Sequence, residues 1–211
     1  MKKIPMIFKR DFGTGMALDE INPICNWVFE GKGTATRKFD GTCVKIADKK
    51  YFKRRMVRKG MTSPKDFIRE DFDPITEKSF GWVPVNRDDP NDKYHIEAID
   101  SYNLEELREG TYELCGPNIQ GNPEGCSSHS LAEHNFCQDL LSLRKFGDFR
   151  RWFIHNEEIG RIYPSMPRTF EEIKTWFKGK DIEGIVFHSS YDENNQMAKI
   201  RKKDFGLNRK D

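Results

Sequence analysis

From residue 34 to 59 apolar and polar positions alternate, the two-residue period of a half-buried strand, and a single Asp40-Gly41 pair interrupts the run. A DG pair supplies the positive φ angles of a tight turn, so the stretch predicts a hairpin folded at 40–41. Shorter runs predict further strands at 27–30 (WVFE), 94–102 (YHIEAIDSY), 111–115 (TYELC), 151–155, 182–188 and 198–202. Helical spacing is sparser. Leu131, Phe136, Leu140, Leu141 and Leu143 make an apolar face over 130–146, with Ser130 and Glu133 as a capping box. A second helix starts at Thr169, with Glu171 and Glu172 in its first turn and Ile173, Trp176 and Phe177 on its apolar face. A short helix is expected at 103–109. Residues 116–128, rich in Gly, Pro, Asn and Ser, predict a loop, and 60–93, with four prolines and many acids, predict a long surface loop or insertion. Strands outnumber helices without βαβ alternation, which predicts an α+β fold of mainly antiparallel sheets.

Composition narrows the class. The chain of 211 residues, 36% hydrophobic and 33% charged with 16 Phe and 4 Trp, is long enough for one domain with a sizeable core and too aromatic for a disordered chain. One domain over 1–211 is expected, its motifs lying within 27–207. No apolar run approaches the roughly 18 residues of a membrane span, and Lys2-Lys3 are not followed by the apolar run of a secretory signal. Cys25, Cys43, Cys115, Cys126 and Cys137 form no CxxC pair, and an odd count argues for a reducing compartment; a cytoplasmic monomer is expected. Net charge is only +2, but 49–59 and 199–210 are strongly basic while 66–113 leans acidic. Basic stripes in a near-neutral chain are either solvated faces or the footprint of a phosphate-bearing ligand.

Four places carry candidate chemistry. Lys38 precedes Asp40-Gly41 at the end of a predicted strand; a lysine is a nucleophile only as the neutral amine, which needs nearby cations or desolvation to lower its pKa from about 10.4. Taken alone, K-F-D-G reads first as an ordinary hairpin with an exposed lysine. Glu113 lies on a strand that runs into a turn at Gly116-Pro117. Glu183 stands at the entry to an apolar strand, where a carboxylate must be paired or bind a cation. Lys199 and Arg201 share one strand face, which suits a phosphate or simply protects an edge.

The order of these pieces resembles the motifs of covalent nucleotidyltransferases, the superfamily of ATP- and NAD-dependent polynucleotide ligases and mRNA capping enzymes. K-x-D-G at 38–41, an arginine-rich strand, Y-E-L-x-G at 112–116, E-G-I-V-F at 183–187 and K-I-R at 199–201 follow one another over nearly the whole chain. In detail, K-F-D-G-T-C at 38–43, E-L-C-G-P-N-I-Q-G-N-P at 113–123 and F-G-L at 205–207 are similar to the single-domain RNA ligase family, which includes the vertebrate 5′-to-3′ RNA ligase and phage and bacterial relatives.

That resemblance implies two antiparallel sheets flanking a nucleotide groove, ATP and Mg²⁺ (or Mn²⁺) as cofactors, and RNA with 5′-phosphate and 3′-hydroxyl ends as partner. It implies that Lys38 attacks the α-phosphate of ATP to form lysyl-AMP, that Arg37 frames the adenine pocket through its backbone, and that Asp40 orients the nucleophile or the incoming 3′ end. Arg54, Arg55 and Arg58 compete for a contact to the ribose or a nucleic-acid phosphate, with Arg55 favoured. Glu113 is expected at the ribose or metal shell, Glu183 on Mg²⁺, and Lys199 and Arg201 on the α-phosphate. Many relatives carry K-x-K where this chain has K-I-R, leaving the second role among Arg201, Lys202 and Lys203. Phe149, Trp152 and Phe153 are candidates to stack on adenine. The basic stretch at 49–59 is expected to line the RNA groove.

A zinc site is a separate possibility, since Cys126, His129, His134 and Cys137 fall in C-x₂-H-x₄-H-x₂-C, a spacing of no common finger. A DNA nick-sealing ligase, a GTP-dependent guanylyltransferase and a non-catalytic RNA-binding module of the same fold are the alternative functions.

Overall fold

The computed structural model describes residues 3–30, 34–134, 169–189 and 196–211. They form a mixed α/β structure made mostly of antiparallel sheet, divided into two compact units with the division at 39/40. Among the described residues no helix is long and apolar enough to cross a membrane.

The first unit holds 4–30, 34–39, 169–189 and 196–211. Strands β1 (Phe8–Arg10) and β2 (Ala17–Ile21) pair antiparallel, and α1 (Asn26–Phe29) follows. A three-stranded antiparallel sheet has β10 (Gly184–His188) between β3 (Thr34–Lys38) and β11 (Met197–Arg201). One face of that sheet presents Ala35, Ile185, Phe187, Ala198 and Ile200 to an apolar core shared with Ile7, Phe8, Ile173, Phe177 and Phe205. Helix α3 (Phe170–Phe177) buries Ile173 and Phe177 there, each contributing about 1.5–3 kcal/mol. Its start is the expected one: the Thr169 hydroxyl accepts from the Glu172 N–H and the Glu172 carboxylate accepts from the Thr169 N–H.

The second unit holds Lys3 and 40–134. Its six-stranded antiparallel sheet runs in the order β6 (Ile68–Asp73), β7 (Lys78–Pro84), β5 (Lys50–Val57), β4 (Thr42–Ala47), β8 (Gly110–Cys115) and β9 (Ser130–Glu133). Val44, Ile46, Tyr51, Tyr112, Leu114 and Leu131 meet Ala98 and Ile99 of α2 (Lys93–Asp100) in a second core.

Several expectations change. The strand over 34–59 does not fold back at Asp40-Gly41: β3 pairs with β10, and the hairpin is β4–β5, closed by Asp48 and Lys49 at φ 49° and 58°. Two left-handed residues match the twist of the strands they join, the geometry of a type I′ turn. Gly41 has no left-handed φ. It is glycine because a Cβ there would lie 2.2 Å from the Leu114 carbonyl oxygen of the neighbouring strand. Residues 27–29 and 94–100 are helical, and 30 and 101–102 are turns, not strand; each helix follows a 3-10 turn opened by proline, Pro23 and Pro90, whose fixed φ starts a helix. Residues 103–109 make turns, not a helix. Ser130 opens β9, not a helix, and pairs with Cys115. Residues 60–93 carry β6, β7 and the buried Trp82, so they complete the sheet instead of leaving it. The expected strand at 151–155, the remainder of 130–146, and Phe149, Trp152 and Phe153 lie outside the described residues.

Candidate active site

In the first unit, register alone gathers three of the expected cations. Lys38 at the end of β3 and Arg201 at the end of β11 both stand opposite Gly184, and Lys199 stands opposite Val186. Side chains of paired strand residues share a face, so Lys38, Lys199 and Arg201 lie on the side away from the apolar core. Glu183, one residue before β10, joins them: its carboxylate accepts from Lys38 Nζ at 2.5 Å, with the two side chains 22% and 13% exposed.

Gly184 makes the crowding possible. A Cβ there would come within 2.3 Å of the Ile200 carbonyl oxygen and 2.8 Å of the Arg201 Cα. Gly184→Ala is therefore expected to force β10 and β11 apart and to cost about 1–3 kcal/mol in urea unfolding, with the sheet end beneath Lys38 displaced. A variant as stable as the parent would show that the close approach is dispensable.

Charge in this cluster is partly balanced. Burial, then Arg201 and Lys38, push the Lys199 ammonium down to about 8, against the pull of Glu183 and Asp204. Arg201 is held in place by the buried Asp204: Nε and Nη2 donate to its two carboxylate oxygens at 3.0 and 2.6 Å, and the Arg201 N–H donates at 2.9 Å. Burial works against the guanidinium charge, but the Asp204 hydrogen bond and charge outweigh it and raise its pKa above the ordinary value. Asp204 is a site residue that the sequence reading missed; its signal is an acid three residues after an arginine. Lys202 is not a second phosphate ligand, because it is buried and donates to the carbonyls of Lys180 and Arg209, each at 2.8 Å. Arg37 projects from the opposite face of β3 to Lys38, buried, with Nη2 donating to the Asp181 carbonyl at 3.4 Å and the guanidinium 5.6 Å from the Phe39 ring centre.

The remaining expected residues belong to the second unit. Asp40 is its first residue after Lys3, and its N–H donates to Glu124 Oε1 at 3.0 Å, a partner the sequence did not single out. Glu113 on β8 is buried; Oε1 accepts from the Gly41 N–H at 3.2 Å and Oε2 lies 2.9 Å from His134 Nε2. Opposite it on β4 is Cys43. Burial, together with the Glu113 charge, pushes the Cys43 thiol up to about 11, although Arg54 donates to its sulfur and works the other way. Arg54 also lies over the rings of Phe80 and Trp82, at 5.6 and 6.0 Å. The favoured Arg55 is exposed and on the other face of β5, so the arginine brought to Glu113's face is Arg54.

The basic stretch at 49–59 is not a row of open cations. Lys53 is buried and paired with Asp92, Lys49 pairs with Glu105, and Lys59 pairs with Glu77. Nor does the suggested zinc quartet assemble among the described residues. His129 Nε2 bonds the Pro117 carbonyl at 2.8 Å and its Nδ1 faces Glu97, Cys126 is tied to Asn122, and Cys137 is outside the described residues.

What the first unit offers chemically is a lysine at a rigid strand end, a carboxylate bonded to it, and two further cations on the same face. That set can hold and neutralise phosphate oxygens and offer one amine to a phosphorus atom. Compared with known protein families and with curated proteins, the chain matches no family model and no curated sequence.

Proposed function

We propose that this protein is an ATP-dependent RNA ligase, a covalent nucleotidyltransferase that seals 5′-phosphate and 3′-hydroxyl ends through lysyl-AMP. The observation that carries the proposal is the alignment of Lys38, Lys199 and Arg201 on one face of β3–β10–β11, with Glu183 bonded to Lys38. The order of motifs supplies the nucleotide and the polymer; the cluster supplies groups suited to each step.

The donor set fits the cofactors. Glu183 offers a hard carboxylate oxygen of the kind Mg²⁺ takes beside substrate phosphates, and Mg²⁺ bound there would neutralise phosphate charge. Lys199 and Arg201 offer cations to the α-phosphate, Arg201 already oriented by Asp204. Lys38 Nζ, neutral and released from Glu183, attacks the α-phosphorus; the N–P bond forms as the bond to pyrophosphate breaks, and the amine proton leaves to solvent. AMP then passes to an RNA 5′-phosphate, and a 3′-hydroxyl displaces it. Positioning and charge neutralisation provide most of the rate in such transfers. By the resemblance, Asp40 orients the nucleophile or the incoming 3′ end, and Glu113 serves the ribose or the metal shell.

The test is intact-mass measurement after incubation with ATP and Mg²⁺, with peptide mapping of the product. One added AMP on Lys38 is expected, and none with GTP. Strand sealing should occur on RNA ends and not on nicked DNA. No adduct, or an adduct on another residue, overturns the proposal.

A further inference from the structure

We infer that Cys43, Glu113 and His134 form a binding site for one Zn²⁺ ion, built into the six-stranded sheet. The inference does not rest on nucleotidyl transfer. The three ligand atoms, one thiol sulfur, one carboxylate oxygen and one imidazole nitrogen, all lie within 4.8 Å of one another. A tetrahedral zinc with bonds of about 2.0–2.3 Å sets its ligand atoms roughly 3.3–3.7 Å apart. His134 Nε2 and Glu113 Oε2 are at 2.9 Å. Seating the ion therefore opens that contact.

The backbone fixes these side chains. Cys43 on β4 and Glu113 on β8 are directly paired, and Glu113 is paired in turn with Ala132 of β9, two residues before His134. The His134 N–H donates to the Thr111 carbonyl at 3.0 Å, so the residue is anchored to β8 although it lies beyond its own strand. Two paired strands and the residue just past a third thus place the three side chains on one face of the sheet.

Outer partners suit a metal as well. His134 Nδ1 lies 3.1 Å from the Thr111 hydroxyl, which both donates and accepts. When Nε2 binds the ion, the ring proton moves to Nδ1 and is given to Thr111, an arrangement typical of metal-bound imidazoles. Glu113 Oε1 stays on the Gly41 N–H while Oε2 turns from His134 to the ion. One proton, from Cys43, leaves to the buffer on binding. Sulfur and imidazole are soft to borderline ligands; they select Zn²⁺ and do not suit Mg²⁺, which takes oxygen. Three protein ligands leave the fourth position for water or an exchangeable ligand.

Co²⁺ is the probe, added to the full chain with a thiol-free reductant. We expect one equivalent to produce a thiolate-to-cobalt charge-transfer band that Zn²⁺ bleaches. Cys43→Ser should remove the band, His134→Gln should weaken binding at least tenfold, and Cys126→Ser should keep both. Should Cys43→Ser lose its far-ultraviolet circular dichroism, the unmutated protein decides: Zn²⁺ must protect Cys43 from iodoacetamide, read by peptide mass. Absence of the band in the parent, a band that survives Cys43→Ser, or a Cys43 that alkylates equally fast with Zn²⁺ overturns the inference.

Discussion

Lys199→Met should give a protein that is more stable than its parent and no longer forms the AMP adduct. The two effects have one cause. Lys199 is desolvated and stands near Arg201 and Lys38, so the fold disfavours its charged form and its ammonium is pushed down to about 8. The unfolded chain, with an ordinary lysine near 10.5, therefore binds more protons between those two values, and stability rises with pH across that window. Below about pH 8 both states carry the charge and the full penalty is present; above about pH 10.5 neither does and the penalty is gone. Methionine keeps most of the volume and removes the charge, so the variant should gain about 1–2 kcal/mol at pH 7. Urea unfolding at pH 7, 9 and 10.5 should show that gain shrinking toward zero. In the proposed reaction the same substitution removes the cation assigned to the α-phosphate, which Asp204 does not hold by a hydrogen bond as it holds Arg201. A loss of at least a hundredfold to a thousandfold in the rate of AMP transfer is expected, the usual consequence of removing one preorganised charge-stabilising group. A destabilised Lys199→Met, or one that is adenylated at the parental rate, would contradict this account of the cluster.

That trade between stability and chemistry also explains which parts of the site the sequence could reveal. Lys38, Glu183 and Lys199 stand out because each is a charge at the edge of an apolar strand, where ordinary packing gives it no reason to be. Alternation along a strand was enough to put Lys199 and Arg201 on one face. It could not identify β10 as the strand that brings Lys38 to them, because that pairing joins residues almost 150 positions apart. The DG pair misled for a related reason. Gly41 is required by its neighbour's carbonyl, a contact invisible in the local sequence, while the true hairpin turn uses Asp48 and Lys49, which have no glycine to announce it.

The two misread helices carried usable signals. Pro23 and Pro90, each preceded by Asn22 or Asp89, mark helix starts, and Ala98 and Ile99 with Tyr94 and Tyr102 follow helical spacing as well as strand alternation. Arg54 and Arg55 could not be separated without the register that puts Arg54 opposite Cys43's position. Glu124 was invisible because its work is to hold another residue, and nothing in composition distinguishes such an acid from a solvated one; Asp204 left only its spacing from Arg201 as a sign.

Asp92→Ala is expected to cost about 3–5 kcal/mol, a larger loss than Gly184→Ala should cause. Asp92 has no exposed surface, accepts from the buried Lys53 ammonium, and accepts the Asn86 N–H at 2.9 Å with its other oxygen. Removing it leaves the Lys53 charge buried with Asp89 3.9 Å away, and takes from the Asn86 N–H the acceptor that Asp92 offers at the N-cap of α2. The midpoint of urea unfolding should fall with little change in slope. Adding Lys53→Met should restore most of the loss, because the cost lies in the uncompensated charge and not in the missing attraction. Failure of the second substitution to rescue the first would mean that the Asn86 bond, not the ion pair, fastens the helix. The distinction bears on function, because a Lys53 committed to Asp92 is withdrawn from any polyanion. Nucleic acid approaching this strand would meet the exposed Lys50, Arg55 and Arg58, with Lys49 and Lys59 already shared with acids. A basic run in sequence is thereby divided by the fold into one internal fastening and an exposed remainder, and if the proposed RNA binding uses this strand, its salt dependence there comes from the exposed part.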